Sequence, residues 1–583
     1  MDEIDDEFLD AEESFEETEN DSNNSSISLT VGIREGLKAI DMFFNNDFDG
    51  ARTHTEKYRH VSIYHAMGHG VFNFLRAVLT LEHEHVVTAN RELSESLETI
   101  QTFRKKGGLV DLIKSKDLDS LTETEVHAEL VYAECLLLKA MLTICEDETL
   151  GSFFNAGWKV KQAFSGYREC WSILNKRNWS NDKEKEHFEG GVRLGYGTFN
   201  LLMSIMPPKI TKLIEFIGLT NSKDVGMKEL MACYHSQDNI RQFLSALVLL
   251  MYNLFLKVLM GKECDKSLVQ EILDEKLTKY PNGAFYLFFK GRFEMISGRF
   301  ESATSWYVKA INCQKDWIGF QHVGCWELIW IAWFRGEWRE SLIYADRLVK
   351  ESKWSPCMYS YFKAAIYSQL TDVTPEEKED QLELMKRVPK LKQKISGKSI
   401  PSEKFAIKKA EKFSAQNNYL LFPLIELIYL WGGFTSLSQN QSCLQNIHAI
   451  VQEALNKRTN FNTEDFCLLN LLEGACLKHL GCPLQAEEKF HLVLSKSNEV
   501  KNDKYLIPYT MVELAILYID LKEISRSKEM LSKAKAMSGY LMQNRLHLKI
   551  HANFNKIKSL EGQDSVEDSN IVDPTDEFHD AED

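Results

Sequence analysis

The chain has 583 residues, 44% of them hydrophobic, and a formal net charge of −16. That much apolar material can bury a large core, which excludes a wholly disordered or fibrous chain. The 12 cysteines include no CxxC pair, which excludes a zinc ribbon and a secreted disulfide framework and predicts reduced thiols in a cytosolic protein. Residues 1–24 hold twelve acids and no base, and residues 561–583 hold ten acids and no base. Residues 25–560 therefore carry 69 bases against 63 acids, with no basic stripe of the kind a nucleic-acid binder needs.

Residues 1–28 are acidic and rich in Ser and Asn, and are expected to form a disordered tail. With no apolar run there, no signal peptide is expected. Residues 29–270 read as degenerate helical repeats. Ala39 with Ala51, then Ala77 with Ala89, mark the small positions of two hairpins 38 residues apart. Helices are expected around Glu125–Glu146 and Leu150–Asn175, followed by a polar loop over Asn175–Glu189. Gly191 and Gly195, four apart, would let another helix approach closely. Pro207-Pro208 should end that helix, with a new one over Lys209–Ile217. No strand precedes these glycines, so they do not read as a phosphate loop. Neither does Gly397-Lys398-Ser399, whose required first glycine is Lys392. Phe243–Met260 is apolar and long enough to suggest a membrane span. Ser245, Asn253 and Lys257 interrupt it, so a buried helix is expected instead.

Residues 271–556 carry the clearest repeats, at 284–317, 467–500 and 508–541. Gly291, Gly298, Ala303, Tyr307 and Ala310 match the spacing of a 34-residue tetratricopeptide repeat. Gly298 and Gly336 mark turns 38 residues apart. Trp326, Trp330, Trp333, Trp338 and Trp354 read as inter-helix core. Thr371–Pro401, rich in Lys and Glu, reads as a charged linker or mobile loop. Gly474, Gly481, Ala486 and Phe490 begin the late repeats, and Ala515, Tyr518, Leu531 and Ala534 continue them. Helical signal fades after about His551, leaving 557–583 as a second disordered acidic tail. The predicted fold is all-α: a tetratricopeptide-like solenoid of helical hairpins with disordered acidic tails.

Little in the chain suggests chemistry. His65 and His69 could share a helix face, but no acid or cysteine lies at ligand spacing to complete a metal set. No GxSxG, HExxH, kinase or dinucleotide signature occurs, so no catalytic, cofactor or metal residue is expected. The concave face of the solenoid is the expected partner surface.

The stretches GVRLGYGTFNLLMSIMPPKITKLIEFIG, YAECLLLKAMLTICEDE, YPNGAFYLFFKGRFEMISGRFESA, WELIWIAWFRGEW, ADRLVKESKWS and YLIPYTMVELAILY resemble blocks of the tetratricopeptide repeat protein 39 family. Fungal inclusion-body clearance proteins belong to the same wider family. The likeness covers roughly residues 31–555. It implies an all-helical repeat protein without known enzymatic activity, some of whose relatives are linked to lipid handling, lipid droplets or sterol balance.

The tails carry a second resemblance. Glu7-Phe8-Leu9-Asp10-Ala11-Glu12-Glu13 is matched by Glu577-Phe578-His579-Asp580-Ala581-Glu582-Asp583. Both resemble the motif of two phenylalanines in an acidic tract, which binds endoplasmic-reticulum receptors called VAMP-associated proteins. The resemblance implies that Phe8 and Phe578 fill an apolar pocket. It puts Asp10 and Asp580 on a lysine, and Ala11 and Ala581 in a narrow slot. Glu7, Glu577 and the acids upstream would steer the peptide to a basic surface. The second aromatic is replaced by Leu9 or His579. E-F-x-D-A-x-acid is expected by chance roughly once per million positions at average composition, about tenfold more often in an acid-rich stretch. Two functioning copies could engage a dimeric receptor bivalently. The expectation is a cytosolic adaptor, peripheral at endoplasmic-reticulum or lipid-droplet surfaces, with a further protein partner on the solenoid. The alternatives are a soluble scaffold in protein regulation or turnover, and a lipid-binding or membrane-inserted protein built on Phe243–Met260.

Overall fold

Small residues at helical spacing build the first half of the chain. The computed structural model describes residues 27–80, 82–105, 118–146, 150–204, 222–236, 239–395, 398–457 and 461–562. Four helices open it: α1 (Leu29–Phe44), α2 (Phe48–Glu56), α3 (Ile63–Thr80) and α4 (His83–Phe103). The Ser28 and Asp47 side chains cap the first two by accepting from the amides of Val31 and Gly50. Ala39, Ala51, Ala77 and Ala89 are all at most 1% exposed, so the small residues lie where the helices cross.

The glycine-rich stretch is a helix crossing. Helices α5 (Glu123–Glu146), α6 (Leu150–Lys176), α7 (Asp182–Met203) and α8 (Lys223–His235) follow. A Cβ on Gly195 would lie 1.9 Å from the Tyr167 ring, and one on Gly226 would lie 2.7 Å from the Leu201 backbone nitrogen. Gly195 therefore seats α7 on α6, and Gly226 seats α8 on α7. The loop expected over Asn175–Glu189 is shorter than its polarity suggests, because α7 already begins at Asp182. Asn181 caps it by accepting from the amides of Lys183 and Glu184, and Asp182 and Glu184 in its first turn oppose the helix dipole. Pro207-Pro208 and Lys209–Ile217 lie outside the described residues.

The apolar helix α9 (Gln242–Leu259) passes through a π-helical turn at Tyr252–Leu256. Ala246, Leu249 and Leu250 enter the core, while Met251 stays 45% exposed. The helix expected to be buried is so over only 39% of its length. Two of its three polar interruptions are bonded: Ser245 donates to the Leu230 carbonyl at 2.7 Å, and Asn253 donates to the Leu249 carbonyl at 2.9 Å, while Lys257 lies half-buried over the Tyr252 ring. Asn253 also accepts from the Asp265 amide at 3.3 Å.

After α10 (Lys266–Lys279) come hairpins α11–α12 (Ala284–Ile296, Phe300–Asn312) and α13–α14 (Ile318–Arg335, Ser341–Glu351). Gly291 presses on the Tyr307 ring, and Gly298 takes φ +75° in the turn, a backbone state glycine adopts without strain. The tryptophans are mostly core, as their helical spacing predicts. Trp326 stacks on Phe362 at 4.8 Å, and the Trp333 indole donates to Ser341 Oγ at 3.1 Å. Trp330 and Trp333 are buried, Trp326 and Trp338 are half-buried against the core, and Trp354 is 42% exposed.

The segment expected as a charged linker, Thr371–Pro401, holds a helix. Helix α15 (Pro356–Gln369) is followed by α16 (Pro375–Arg387). Thr374 and Glu377 form a reciprocal capping box with Pro375 at the first helical position, a strong start signal within charged sequence. Leu384 and Met385 are buried under α16. Among the described residues of this segment, Lys394–Ile395 (β1) pairs antiparallel with Lys398–Ser399 (β2).

The remaining helices are α17 (Pro401–Ala415), α18 (Pro423–Leu430), the one-turn α19 (Phe434–Leu437) and α20 (Gln441–Lys457). Then come hairpins α21–α22 (Thr463–His479, Pro483–Ser495) and α23–α24 (Leu506–Asp520, Ile524–Ala536), closed by α25 (Gln543–Leu560). Helix thus continues past His551, where the sequence pattern fades; Ile557 is still fully buried. The array curls back on itself: Asn440 donates to the Gly298 carbonyl at 2.9 Å, and Trp330 stacks on Trp431 at 6.0 Å. One core runs from Ala39 to Ile557 and crosses residue 270 without a break. Phe48, for example, stacks on Trp317 at 4.3 Å.

Candidate recognition surface

The first helix of each late hairpin is buried on nearly every side, whereas the second buries a single stripe. The buried first helices line the inside of the curl. Each interrupts its apolar run with isolated charges, and a charge in such surroundings is costly unless paired. On α11 and α13, Arg292 Nη1 meets Glu327 Oε2 at 3.0 Å, and the Tyr307 hydroxyl donates to the same oxygen at 3.4 Å. The Arg292 guanidinium also lies over the Phe255 ring, 4.7 Å from its centroid. On α21 and α23, Lys478 pairs with Glu513, which accepts from the Tyr429 hydroxyl at 3.2 Å. A second buried network joins Lys409 and Lys412 to Asp503 at 3.0 and 2.6 Å, with Glu426 bound by Lys409 and Tyr505.

Helix α25 lies against this inner wall. Tyr509 donates to the Met542 carbonyl at 3.2 Å, and Arg545 donates to the Trp431 carbonyl. Leu546, Ile550 and Ile557 anchor its apolar face. Lys549 stands half-buried beside Glu513 and Lys478. Burial pushes the Lys549 ammonium down; Glu513 opposes this, while Arg545 and Lys478 add to it. Burial lowers Arg545 too, against the pull of Tyr509 and with Arg292 adding repulsion. Burial would raise the Glu513 carboxyl, but Lys478 and Lys549 hold it at about 2. Arg545 Nε is enclosed and lacks a hydrogen-bond partner. Such a wall favours an anionic occupant.

The sequence pointed elsewhere. Glu7, Phe8, Asp10, Ala11, Glu577, Phe578, Asp580 and Ala581 lie outside the described residues. His65 and His69 sit on one helix, but His65 Nδ1 is 2.9 Å from Ser62 Oγ and His69 Nε2 is 3.1 Å from Glu92. Among the described residues no group of three His, Cys, Asp or Glu could hold a metal ion. A cleft of about 350 Å³ beside α7 is lined by Asp182, Lys185, Glu186, Glu189, Arg193 and Ser236. Two of its three carboxylates are already engaged: Glu189 holds Arg193 at 2.7 Å and Glu186 accepts from Ser236 at 2.8 Å. The inner charges were missed because their partners lie far apart in sequence. Single acids such as Glu426 and Glu513 within apolar helices are the signal that could have found them.

The family model for Iml2/Tetratricopeptide repeat protein 39 matches residues 37–480. Tetratricopeptide repeat protein ttc-39B of Caenorhabditis elegans is 33% identical over 539 residues, covering 91% of this chain and 93% of the relative. Among solved structures, yeast Tom70 aligns at 10% identity and a TM-score of 0.24, over 91% of this chain and 96% of its own. Cut9–Hcn1 of the APC/C aligns at 12% identity and 0.24, over 88% and 95%. Solenoids of stacked helical hairpins are scaffolds for protein–protein interaction. The chain belongs to the Iml2/Tetratricopeptide repeat protein 39 family.

Proposed function

We propose that the protein is a non-enzymatic adaptor, tethered to the endoplasmic reticulum by its acidic phenylalanine motifs and binding a second protein through its solenoid. The observation that carries the tether is the repetition of E-F-x-D-A-x-acid at both ends, around Phe8 and Phe578. Each copy offers one aromatic anchor, one aspartate and one small residue in an acidic run that steers it to a basic receptor surface. The receptor is of the VAMP-associated-protein type, and the resemblance directs the solenoid's cargo towards lipid or sterol homeostasis.

Helix α9 supports a second reading, insertion into a membrane, because its mean hydropathy is 1.7 over 18 residues. Against that reading, Ser245 bonds to α8, Asn253 bonds to the Asp265 amide, and the buried face packs into the main core. Fractionation of cells separates the two. A tethered protein leaves the membrane pellet on carbonate extraction, and Phe8→Ala with Phe578→Ala moves it to the soluble fraction beforehand. Retention of that double variant in the carbonate pellet would overturn the tether and favour insertion.

A further inference from the structure

We propose that the acidic C-terminal segment, residues 563–583, docks in cis on the cationic wall formed by Arg292, Lys478, Arg545 and Lys549. The segment is then either held by the wall or free for an outside receptor, so wall and receptor exclude each other. The exclusion rests on the tether reading above; the docking does not.

Glu327 and Glu513 are the carboxylates set against those four cations, which leaves two positive charges in excess. Residues 563–583 hold nine acids and no base. Glu513 already belongs to Lys478 and Tyr429, so it cannot also satisfy Lys549 fully. Burial strengthens such pairing, because a buried cation without a carboxylate is disfavoured.

The segment leaves from the same helix that carries Arg545 and Lys549. Fifteen helical residues back from Leu560 to Arg545 are about 22 Å, and 21 extended residues span up to ~70 Å. The exit is held against α24, where Lys528 binds both Glu561 oxygens at 2.7 Å. The other acidic run precedes α1, at the opposite end of the chain. A segment tethered this closely acts at an effective concentration of about millimolar, which favours it over a second copy in dilute solution.

Zero-length carbodiimide cross-linking of the intact protein at low concentration tests this. The expected products are monomer-sized and join Lys478 or Lys549 to a carboxylate of residues 563–583. They should fall several-fold at about 1 M salt, where the screening length is about 3 Å. A second measurement compares hydrogen exchange in the intact chain and in a full-length variant with all nine acids changed to Asn or Gln. Residues 545–550 should exchange several-fold faster in the variant. Products linking these lysines to residues 1–24, dimer-sized products, no product at either lysine, or unchanged exchange would each overturn the docking. A failure of receptor binding would leave these results untouched, so the two ideas fail separately.

Discussion

Arg241 and Glu134, 107 residues apart, form a two-point ion pair inside the first half of the chain. Arg241 Nε reaches Glu134 Oε1 at 3.0 Å and Nη2 reaches Oε2 at 2.8 Å. The remaining terminal nitrogen donates to the Tyr64 hydroxyl at 2.8 Å and to the His187 carbonyl at 3.2 Å. One guanidinium thus ties together α3, α5, α7 and the start of α9. Their side-chain exposures of 1% and 6% place the pair out of water.

Removing one partner leaves the other charge buried, at a cost of about 3–5 kcal/mol, whereas replacing both with apolar residues is far milder. Glu134→Leu alone should therefore lower the melting temperature by many degrees. Glu134→Leu with Arg241→Met should recover most of the loss. A single variant that melts with the parent would show that the pair does not hold these helices.

Glycine-to-alanine changes should sort by what the new Cβ meets. Gly195→Ala drives into Tyr167 and Gly226→Ala into the Leu201 backbone, each destabilising by about 1–3 kcal/mol. Gly157, on exposed helix with nothing within 4 Å, is the control. Gly157→Ala should stabilise by about 0.5–1 kcal/mol through helix propensity. Denaturant midpoints of the three variants check the order.

Acid should weaken the fold in two overlapping windows. His127 accepts from the Tyr64 hydroxyl at Nδ1, 2.8 Å, and donates from Nε2 to the Glu184 carbonyl, 3.1 Å. Burial, then Arg241, push it well below the ordinary histidine value. Burial also puts His65 at about 4 and His479 at about 3. Below about pH 6.5 the unfolded chain binds protons that these folded histidines refuse. Stability is thus complete above that point and falls as pH drops, by up to roughly 1.4 kcal/mol per pH unit for each fully buried histidine. Glu513 acts lower: its contribution is present above about pH 4.3 and is lost as pH falls towards the folded value of about 2. Urea midpoints from about pH 7 down to 5 should decline, and His127→Gln should flatten the decline relative to its own value at neutral pH.

The capping box makes α16 sensitive to one side chain. Thr374→Ala removes the bond to the Glu377 amide, 3.2 Å, at a cost of about 1 kcal/mol. Amide exchange over residues 376–387 should quicken several-fold while the rest of the chain is unchanged. Global quickening would mean that α16 does not open by itself.

Repeat spacing was legible because it follows from packing of neighbours. Gly291 against Tyr307 and Gly474 against Phe490 are local encounters within a hairpin, and 34-residue periodicity encodes them. Charge-rich sequence misled at Thr371–Pro401, where composition suggested a loop. The cap, Thr374-Pro375-Glu376-Glu377, was nevertheless written there. Arg241 with Glu134, and Lys549 beside Glu513, could not be read from local pattern. Each pairing joins elements that only the tertiary curl brings together. The tail motifs pose the opposite case: they are legible only as sequence, and their chemistry needs a partner.

The most direct measurement is binding of the intact protein to a purified VAMP-associated-protein receptor domain by calorimetry, repeated with Phe8→Ala, Phe578→Ala and both. Loss of one buried aromatic anchor costs about 2 kcal/mol or more, some thirtyfold in affinity at that motif. Each single variant should therefore bind through its surviving copy with reduced avidity, and the double variant should not bind. Binding that is absent in the parent, or indifferent to both changes, would contradict the tether and leave function to the solenoid alone.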